Sequence, residues 1–368
     1  MADYSIALIP GDTVGPELIR QAVKIFHALS ACSEHFFHLE ILTACGPGIE
    51  AFGCPLPSAS LKKALRCQAV LLGNIGSRRY QSLPPSKRPE QALLQLRGAF
   101  RVCANLRPLK IYPGLACLSP LKESYLTNGM DLVVVRDLQG GMFSPAHPTT
   151  IKNEGKSAGD LEYYSEYMVR FTAKIAFHLA RHRNKRVASL DKSNVLASSL
   201  LWRKTITEYA RSFPDISLTH QYIDNASMEV IRNPGAFDVI VTSNVFGDIL
   251  SDELTQLTGA PCLFGSAELA ADKRGLYTPN QLHHSCEEIA GKNIVHPLGI
   301  LDAIRLLLMY SCSRPDLSAL LSHVAASVIK DRLTTPELPI PGFADISTDE
   351  MGDEIANRLL RSSQNEHP

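Results

Sequence analysis

The sequence predicts an α/β protein with a mostly parallel β-sheet. Two patterns lead to this prediction: the chain opens with a strand, a turn and a helix, and the same order recurs further along. Alternating strands and helices are typical of folds in which helices cover a largely parallel sheet. A chain of 368 residues with 45% hydrophobic residues can bury a large core, so two domains or one large α/β unit are favoured.

The first predicted strand is the apolar run from Ser5 to Ile9, which ends in a Pro-Gly-Asp turn. In the stretch that follows, Pro16 to Leu29, apolar residues such as Leu18 and Ile25 recur at helical spacing. We therefore expect a buried strand, a tight turn and a helix at the start of the chain.

Four later runs rich in β-branched residues repeat this pattern, because each precedes glycine or polar residues and then a helical stretch. They are Ala69 to Leu72, Asp131 to Val135, Arg186 to Leu190 and Asp238 to Ser243. Residues 143–160, by contrast, are polar, with prolines and glycines and no helical period. This segment predicts an extended arm that contacts another subunit rather than a part of the core.

The composition excludes several classes of partner. Lysine plus arginine equals aspartate plus glutamate at 37 each, so no overall charge attracts nucleic acid or an acidic membrane. No apolar run approaches the roughly 20 residues of a membrane span, and Asp3 stands where a secretion signal would be basic. The nine cysteines include no Cys-x-x-Cys pair, which fits free thiols. We expect a cytoplasmic protein without nucleic-acid or membrane partners.

Three arginines are candidates for binding an anionic substrate. Arg97 and Arg107 flank a short segment, and Arg136 directly follows the strand-like run Leu132 to Val135, at a position where ligand contacts are common. A guanidinium group can donate two hydrogen bonds to one carboxylate. The alternative is that each arginine lies at the surface in an ordinary ion pair, since most arginines are solvated.

Three aspartates are candidates for a metal site. Asp248 and Asp252 are four residues apart, so on a helix they share one face and can bind one hard cation such as Mg²⁺ or Mn²⁺. Asp224, in the segment Tyr222-Ile-Asp-Asn, could complete the site. The alternatives are that Asp248 caps a helix, that Asp252 is a solvated acid in its first turn, and that Asp224 belongs to a turn.

Lys192 is a candidate for proton transfer. It follows the strand predicted at Arg186 to Leu190 and precedes a helical stretch, so its ammonium group could lie in a cleft near a cation. Burial and like charge would lower its pKa toward a useful range. The alternative is a solvated lysine.

Seven segments of the chain occur in the order that the 3-isopropylmalate dehydrogenases show. They are Pro10-Gly-Asp12-Thr-Val-Gly15-Pro-Glu17, Pro89-Glu90-Gln-Ala-Leu93-Leu94-Gln-Leu-Arg97, Asn105-Leu-Arg107-Pro, Asp191-Lys192-Ser-Asn194-Val195-Leu, Tyr222-Ile-Asp224-Asn, Ser243-Asn-Val-Phe-Gly-Asp248-Ile-Leu-Ser-Asp252-Glu and Ser347-Thr-Asp-Glu-Met-Gly-Asp353. The chain therefore resembles the isocitrate/isopropylmalate β-decarboxylating dehydrogenases, and the isopropylmalate branch in particular. The resemblance covers nearly the whole length, and seven motifs in one order are specific.

The resemblance implies a fold of two α/β domains that share a large mixed sheet. The first domain, on the cofactor side, would combine residues 1–103 and 258–368. The second, residues 104–257, would carry the dimerisation surface, the arm at about 143–160, and the metal and lysine residues. It implies that the fold is not a Rossmann domain, and no Gly-x-Gly-x-x-Gly motif follows the first strand.

The resemblance also implies a role for each site residue. The three arginines would bind the carboxylates of a malate, and Asp224, Asp248 and Asp252 would bind the metal. Lys192 would be the catalytic base and would reach across a dimer interface together with Asp224. The pocket for the isopropyl group would be lined by Glu90, Leu93, Leu94 and, from a second subunit, Val195, which implies a branched apolar substituent rather than a third carboxylate.

The chain departs from the family at a catalytic position. Phe143 stands where family members have the tyrosine that is expected to donate a proton after decarboxylation. Losing a general acid costs about 10² to 10⁴ in rate.

The cofactor loop, residues 278–291, departs further, since it is two residues longer and a family glycine is His284. The cofactor-binding residues implied by the match are His283, Ser285, Glu288 and His296, of which His296 replaces an asparagine. Glu288 could accept a hydrogen bond from the adenosine ribose, and two adjacent acids would repel a 2′-phosphate, which favours NAD over NADP.

The sequence thus predicts a divergent family member that oxidises and decarboxylates a 3-alkylmalate, first of all 3-isopropylmalate, with NAD and Mg²⁺ or Mn²⁺. Its partners would be a small dicarboxylic hydroxy acid and a second copy of the chain in a homodimer. The alternative is a catalytically impaired homologue that serves as a binding or regulatory subunit in a hetero-oligomer with a related dehydrogenase.

Overall fold

The computed structural model describes residues 2–143, 149–152, 155–280 and 286–364. The chain divides into two compact units, which we call the first unit (residues 1–102 and 260–368) and the second unit (residues 103–259). The chain thus leaves the first unit and returns to it.

The described residues form fourteen β-strands. They are β1 (Ala2–Gly11), β2 (His35–Ile41), β3 (Ala69–Asn74), β4 (Val102–Lys110), β5 (Asp131–Asp137), β6 (Thr149–Lys152), β7 (Gly155–Ala158), β8 (Arg186–Asp191), β9 (Ser217–Tyr222), β10 (Val239–Thr242), β11 (Gly265–Ala270), β12 (Gly275–Pro279), β13 (Leu333–Thr334) and β14 (Ala344–Asp345).

The same residues form eleven α-helices. They are α1 (Gly15–Cys32), α2 (Gly46–Phe52), α3 (Ser58–Ala64), α4 (Glu90–Phe100), α5 (Glu166–Arg181), α6 (Ala197–Ala210), α7 (Ile223–Arg232), α8 (Asn244–Leu257), α9 (Leu298–Tyr310), α10 (Pro315–Lys330) and α11 (Thr348–Gln364). None of the described helices is both long and apolar enough to cross a bilayer.

The first unit is built on strands in the order β2-β1-β3-β12-β11. Neighbours in this order are parallel except β11 and β12, which form an antiparallel pair. Every residue of β3 is buried, as expected for a strand that helices cover on both faces. Helix α1 packs against α11, and the largely apolar α9 packs on β11 and β12.

The second unit has strands in the order β4-β5-β10-β8-β9. Strands β4 and β5 are antiparallel, and the remaining neighbours are parallel. Helix α5 packs on β5 and β10, α8 packs on β5, and α6 packs on β8. The carboxyl ends of β8 and β10 therefore lead into the segments that carry the candidate site residues.

The predicted fold class is confirmed, because both units are α/β with mixed strand directions. The opening strand and helix and the four later strands occur where the sequence predicts them. Strand β5 extends two residues beyond its predicted end, so Arg136 lies within the strand rather than after it.

The predicted arm is only partly described. Strands β6 and β7 form a separate antiparallel pair within it, and residues 144–148 and 153–154 lie outside the described residues. A role of the arm in subunit contact stays a prediction.

Candidate functional site

Helix α8 places Asp248 and Asp252 one turn apart on the same face. The helix begins at Asn244, after Ser243 in the N-cap position, so both aspartates lie inside it. This excludes the alternative in which Asp248 caps the helix. Asp248 is half-buried and Asp252 is exposed.

Arg136, on β5, lies next to these aspartates and is buried, with only 4% of the residue exposed. Its Nη1 donates to Oδ1 of Asp248, while Nε and Nη2 donate to Oδ1 of Asn244 at 3.0 and 2.8 Å. Gly247 permits this approach of α8 to β5, because a Cβ there would lie 2.7 Å from Cβ of Arg136. The glycine therefore lets the helix bring Asp248 next to the arginine.

Asn244 was not predicted as a site residue, yet it fixes the position of Arg136. Its backbone N–H donates to the hydroxyl oxygen of Tyr164 at 2.8 Å, and its side-chain amide donates to the carbonyl of Gly140 at 2.9 Å. Burial raises the pKa of Tyr164, so this hydroxyl stays protonated. A signal in the sequence was the position of Asn244 next to the N-cap of a predicted helix that carries two aspartates.

Arg107, on β4, pairs with the other aspartate of α8, because its Nη1 donates to Oδ1 of Asp252. Its Nε is buried, and within the described residues this atom has no hydrogen-bond acceptor. A buried donor without a partner costs free energy, and an anionic ligand is one way to satisfy it.

The predicted metal ligands Asp224, Asp248 and Asp252 offer carboxylate oxygens, which suit a hard divalent cation. The three side chains do not come together within one chain. In the part of the chain that the structure describes, no three acids, histidines or cysteines come close enough together to hold a metal ion. The hydrogen bonds from the two arginines use Oδ1 of Asp248 and of Asp252, so Oδ2 of each is the oxygen that would bind a cation. Asp224 does not join these two aspartates within the chain.

Lys192 and Asp224 form a pair of their own in the second unit. Their Nζ and Oδ2 atoms are 2.9 Å apart, with Lys192 just after β8 and Asp224 in the first turn of α7. The hydrogen bond from Lys192 lowers the pKa of Asp224, which stays ionised. Val195, which follows Lys192, is 70% exposed. The predicted base, one predicted metal ligand and one predicted pocket residue thus face solvent in one region.

Phe143 lies close to Arg136. Its ring centre is 5.7 Å from Cζ of Arg136, and 55% of the residue is exposed. A phenol at this position would therefore be near a predicted substrate-binding group, but the phenylalanine ring has no proton to donate.

Helix α4 in the first unit carries the other predicted substrate residues. Glu90, Leu93, Leu94 and Arg97 are spaced three or four residues apart, which places them on one face of the helix. Glu90 and Leu94 are exposed, and Leu93 and Arg97 are half-buried. This face offers a partly open apolar surface between two charged ends.

Arg97 has a partner that the sequence analysis missed. Its Nε donates to Oε2 of Glu268 at 2.8 Å and its Nη2 donates to Oε1 at 2.5 Å, so the two side chains form a bidentate pair. Glu268 lies on β11 and is only 6% exposed. An acid in an otherwise small and apolar strand was the signal that could have indicated a buried ion pair.

Two of the four predicted cofactor residues, His283 and Ser285, lie outside the described residues. Glu288 is exposed and can reach a ligand. His296 is 2% exposed, and burial lowers its pKa to about 3, so the ring is neutral near pH 7. Contact between this ring and a cofactor would require movement, which argues against the predicted role of His296.

A buried carboxylate, Glu17, and a half-buried one, Glu337, hold the end of the cofactor loop and the segment after it. Glu17 accepts hydrogen bonds from the backbone N–H groups of Gly291 and Asn293 at 2.9 and 2.8 Å. Glu337 accepts from the backbone N–H of His296 at 2.5 Å, and burial raises the pKa of Glu337 to about 7. The end of the loop is thereby fixed to the first unit.

Comparison with known proteins gives consistent matches over nearly the whole chain. A family model described as isocitrate/isopropylmalate dehydrogenase matches residues 5–355. The chain is 40% identical over 359 residues to a 3-isopropylmalate dehydrogenase of Clostridium acetobutylicum, covering 98% of this chain and 100% of the relative. It is also 40% identical over 363 residues to the 3-isopropylmalate dehydrogenase of Vibrio cholerae, covering 98% and 99%.

Solved structures agree with these matches. The isocitrate dehydrogenase from Methylococcus capsulatus superposes with a TM-score of 0.82 at 27% identity, covering 97% of this chain and 99% of that one. A beta-decarboxylating dehydrogenase from Thermococcus kodakarensis superposes with a TM-score of 0.78 at 25% identity, covering 99% of both chains.

Proposed function

Because the chain belongs to the isocitrate/isopropylmalate dehydrogenase family, we propose that it oxidatively decarboxylates a 3-alkylmalate, first of all 3-isopropylmalate, with NAD and Mg²⁺ or Mn²⁺. The family makes it a dehydrogenase that acts on a hydroxy acid. The observation that carries the proposal is the buried Nε of Arg107 beside the aspartates of α8, which has no hydrogen-bond acceptor among the described residues.

The malate carboxylates would be bound by Arg97, Arg107 and Arg136. Arg107 has a donor to spare, and Arg136 is held in place by Asn244 and Asp248. A guanidinium fixed by neighbours loses little freedom when it binds a carboxylate, which favours tight and oriented binding. Arg107 on β4 and Arg136 on β5 each contact an aspartate of α8, which supports an acid-binding group next to a cation-binding group.

The alkyl substituent would lie against α4. Leu93 and Leu94 present apolar surface on the face that also carries Glu90. An apolar pocket distinguishes alkyl groups by roughly 1 to 3 kcal/mol per methylene. The two leucines would therefore favour one alkyl group without excluding the others. Val195 of a second copy would close the pocket, and its exposure within one chain supports this assignment.

Metal binding would use Asp248 and Asp252 of one copy and Asp224 of another. When bound, the divalent cation polarises the substrate hydroxyl and carbonyl oxygens, and NAD accepts the hydride. Asp224 is exposed and ionised in its pair with Lys192, which supports its availability to a second copy.

Lys192 would take the proton from the substrate hydroxyl at its Nζ as the hydride leaves the same carbon. The β-keto acid then loses CO₂, and the resulting enolate needs a proton on carbon. Family members are expected to use a tyrosine for that last step, and Phe143 stands at its position. Water would supply the proton in this chain, with a lower rate as the consequence.

NAD would bind along the altered loop. Glu288 is exposed and could accept a hydrogen bond from a ribose hydroxyl, and the adjacent Glu287 adds a second negative charge that disfavours a 2′-phosphate. Glu287 already accepts from the hydroxyl of Ser77 at 2.7 Å. This contact holds Glu287 next to Ser77.

The nine cysteines are all free, which supports a cytoplasmic, reducing location.

A homodimer would complete the site. The second unit exposes several large apolar side chains on or near its helices: Leu161, Tyr163, Tyr167, Leu200, Met228, Ile231 and Ile249. Clusters of exposed apolar residues mark interaction surfaces. Lys192, Asp224 and Val195 lie in the same unit as these side chains. A related dehydrogenase subunit could fill the same place in a hetero-oligomer.

A second candidate function is a binding or regulatory subunit without efficient redox chemistry. Phe143 motivates it, because it lies at the site without a proton to donate, and so does the enlarged loop of the cofactor side. Such a subunit would keep the acid and metal residues and lose NAD binding.

The test compares turnover with ligand binding. We expect the purified protein with Mn²⁺ and 3-isopropylmalate to form NADH with saturation in NAD. Lys192→Met should lower kcat by about 10² or more. Lys63→Met is the matched control, since Lys63 is an exposed lysine that pairs with Glu40 at 2.7 Å in the first unit. Metal-dependent acid binding in calorimetry, with no NAD binding and no NADH, would instead establish the second candidate.

A further inference from the structure

The first unit contains a charged pair in which Arg97, a predicted substrate-binding residue, meets an acid without a role in the reaction described above. Arg97 presents its Nε and Nη2 to both carboxylate oxygens of Glu268, at 2.8 and 2.5 Å. The side chain of Glu268 is 8% exposed and that of Arg97 is 26% exposed. An acid buried to this degree is held by its partner, because removing a lone carboxylate from water is costly.

The pair lies at one end of the α4 face that would meet the alkyl group. Glu90 and the two leucines share that face with Arg97. The formal charges of Glu90, Arg97 and Glu268 add to minus one, so the face carries no net positive charge. Without Glu268, the formal charges of Glu90 and Arg97 on this face would add to zero.

We propose that Glu268 is a specificity-determining residue that positions Arg97 and offsets its charge, so that the α4 face rejects acids with a third carboxylate. This inference rests on the proposed function, since it concerns the same substrate. Glu268 acts through Arg97 and is therefore a positioning residue rather than a catalytic one.

The geometry of the guanidinium supports this role. A guanidinium can bind a carboxylate along the Nε–Nη2 edge or along the Nη1–Nη2 edge. Glu268 fills the first edge, so no substrate carboxylate can bind there. The arginine is thereby aimed in one direction, and its attraction for any further anion is reduced by the carboxylate at its other edge.

The consequence is a preference between two classes of hydroxy acid. A 3-alkylmalate places an uncharged group against α4, and the neutralised pair tolerates it. A tricarboxylic acid such as isocitrate places a carboxylate there, where Glu90 and Glu268 repel it and Arg97 attracts it only weakly.

The test is the Glu268→Gln variant, with KM and kcat measured for 3-isopropylmalate and for isocitrate. We expect the KM for isocitrate to fall by about tenfold relative to that for 3-isopropylmalate, with kcat for 3-isopropylmalate little changed. The double variant Arg97→Gln with Glu268→Gln restores a neutral pair, so the preference between the acids should return to that of the wild type. Equal changes of KM for both acids in Glu268→Gln would overturn the proposal and leave Glu268 a purely structural residue.

A control variant tests whether any disturbance of β11 alters the preference between the two acids. Asp302→Asn disturbs the same strand, because Asp302 accepts a hydrogen bond from the backbone N–H of Gly265 at 2.8 Å, but it lies on α9 and pairs with Arg305. It should leave the preference between the acids unchanged. Glu268→Ser provides a second variant if Glu268→Gln unfolds.

Calorimetry with Mn²⁺ and each acid gives a readout that does not need turnover. If the wild type forms no NADH with any acid, the proposed function fails. The relative affinity for the two acids in wild type and Glu268→Gln still decides the role of Glu268: a shift toward isocitrate supports it, and an unchanged ratio refutes it.

Discussion

Phe143 is the residue that we propose to stand in place of a catalytic tyrosine of the family. Its ring lies beside Arg136, so a hydroxyl added there would be near the substrate-binding group. We expect Phe143→Tyr to raise kcat for 3-isopropylmalate by up to about 10², because it restores a general acid for the final protonation. Steady-state NADH formation at saturating NAD measures the effect.

The matched control is Phe36→Tyr, which adds a hydroxyl to another exposed phenylalanine on β2 of the first unit. It should leave kcat unchanged. An unchanged or lower kcat in Phe143→Tyr would show that protonation is not the slow step and that the cofactor loop limits turnover.

At the residue scale, the sequence identified which side chains are candidates for binding, but it did not show which residue each of them contacts. The three arginines were recognised as candidates, and each one forms an ion pair, as the alternative interpretation held. Two of the pairs, Arg136 with Asp248 and Arg97 with Glu268, are not the solvated surface contacts which that alternative assumed, since Arg136 and Glu268 are buried. In the third pair, Asp252 is exposed. Glu268 could not be assigned to Arg97 from sequence, because the two residues are 171 positions apart and meet only through the fold.

At the scale of elements, spacing was the reliable guide. Asp248 and Asp252 share a face of α8, and Glu90, Leu93, Leu94 and Arg97 share a face of α4, as residues three or four apart must. What spacing could not show is how an element is held in place. The hydrogen bonds of Asn244 to Arg136, Gly140 and Tyr164 depend on three other segments of the chain.

The segment after the cofactor loop should respond to pH through Glu337. Burial raises the pKa of Glu337 from 4.5 to about 7, with a smaller contribution from the charge of Glu17. The folded state therefore holds this proton more tightly than the unfolded state, so the stability that Glu337 contributes is present at low pH and is lost as pH rises through about 7. Glu337→Gln should gain stability relative to wild type between about pH 5 and about pH 8, as measured by denaturant unfolding.

Glu350→Gln is a control from the same unit with the opposite shift. Hydrogen bonds from the backbone N–H and the hydroxyl of Ser347 lower the pKa of Glu350, so its titration lies below that range of pH. Its stability difference from wild type should be flat there. A flat difference for Glu337→Gln as well would contradict the assignment of the raised pKa to Glu337.

At the scale of the molecule, the sequence predicted the α/β class because the alternation of strands and helices is a local pattern. The association of two chains cannot be predicted from such a local pattern. Within one chain, Asp224 stays with Lys192, and the described residues form no three-ligand metal cluster. Only a second copy can bring these groups to Asp248 and Asp252 if the proposed site is correct.

Mixing two inactive variants tests this arrangement. Lys192→Met and Asp248→Asn should each be nearly inactive alone. After unfolding and refolding together at equal amounts, we expect about a quarter of wild-type activity, since half the dimers are mixed and each mixed dimer has one intact site. Refolded wild type sets the scale. No recovery, with mixed dimers present by native mass spectrometry, would mean that Lys192 and Asp248 act within one chain.

The central claim is that this chain couples oxidation of a 3-alkylmalate to loss of CO₂. The most direct measurement is the amount of NADH and of labelled CO₂ that the wild-type protein forms with Mn²⁺ and NAD. The substrate is 3-isopropylmalate labelled in the carboxyl group on the carbon that bears the isopropyl group. Our account predicts equal amounts of the two products, with neither formed when the metal is removed by a chelator. Failure to form either product, while calorimetry shows that the acid and the metal bind, would contradict it.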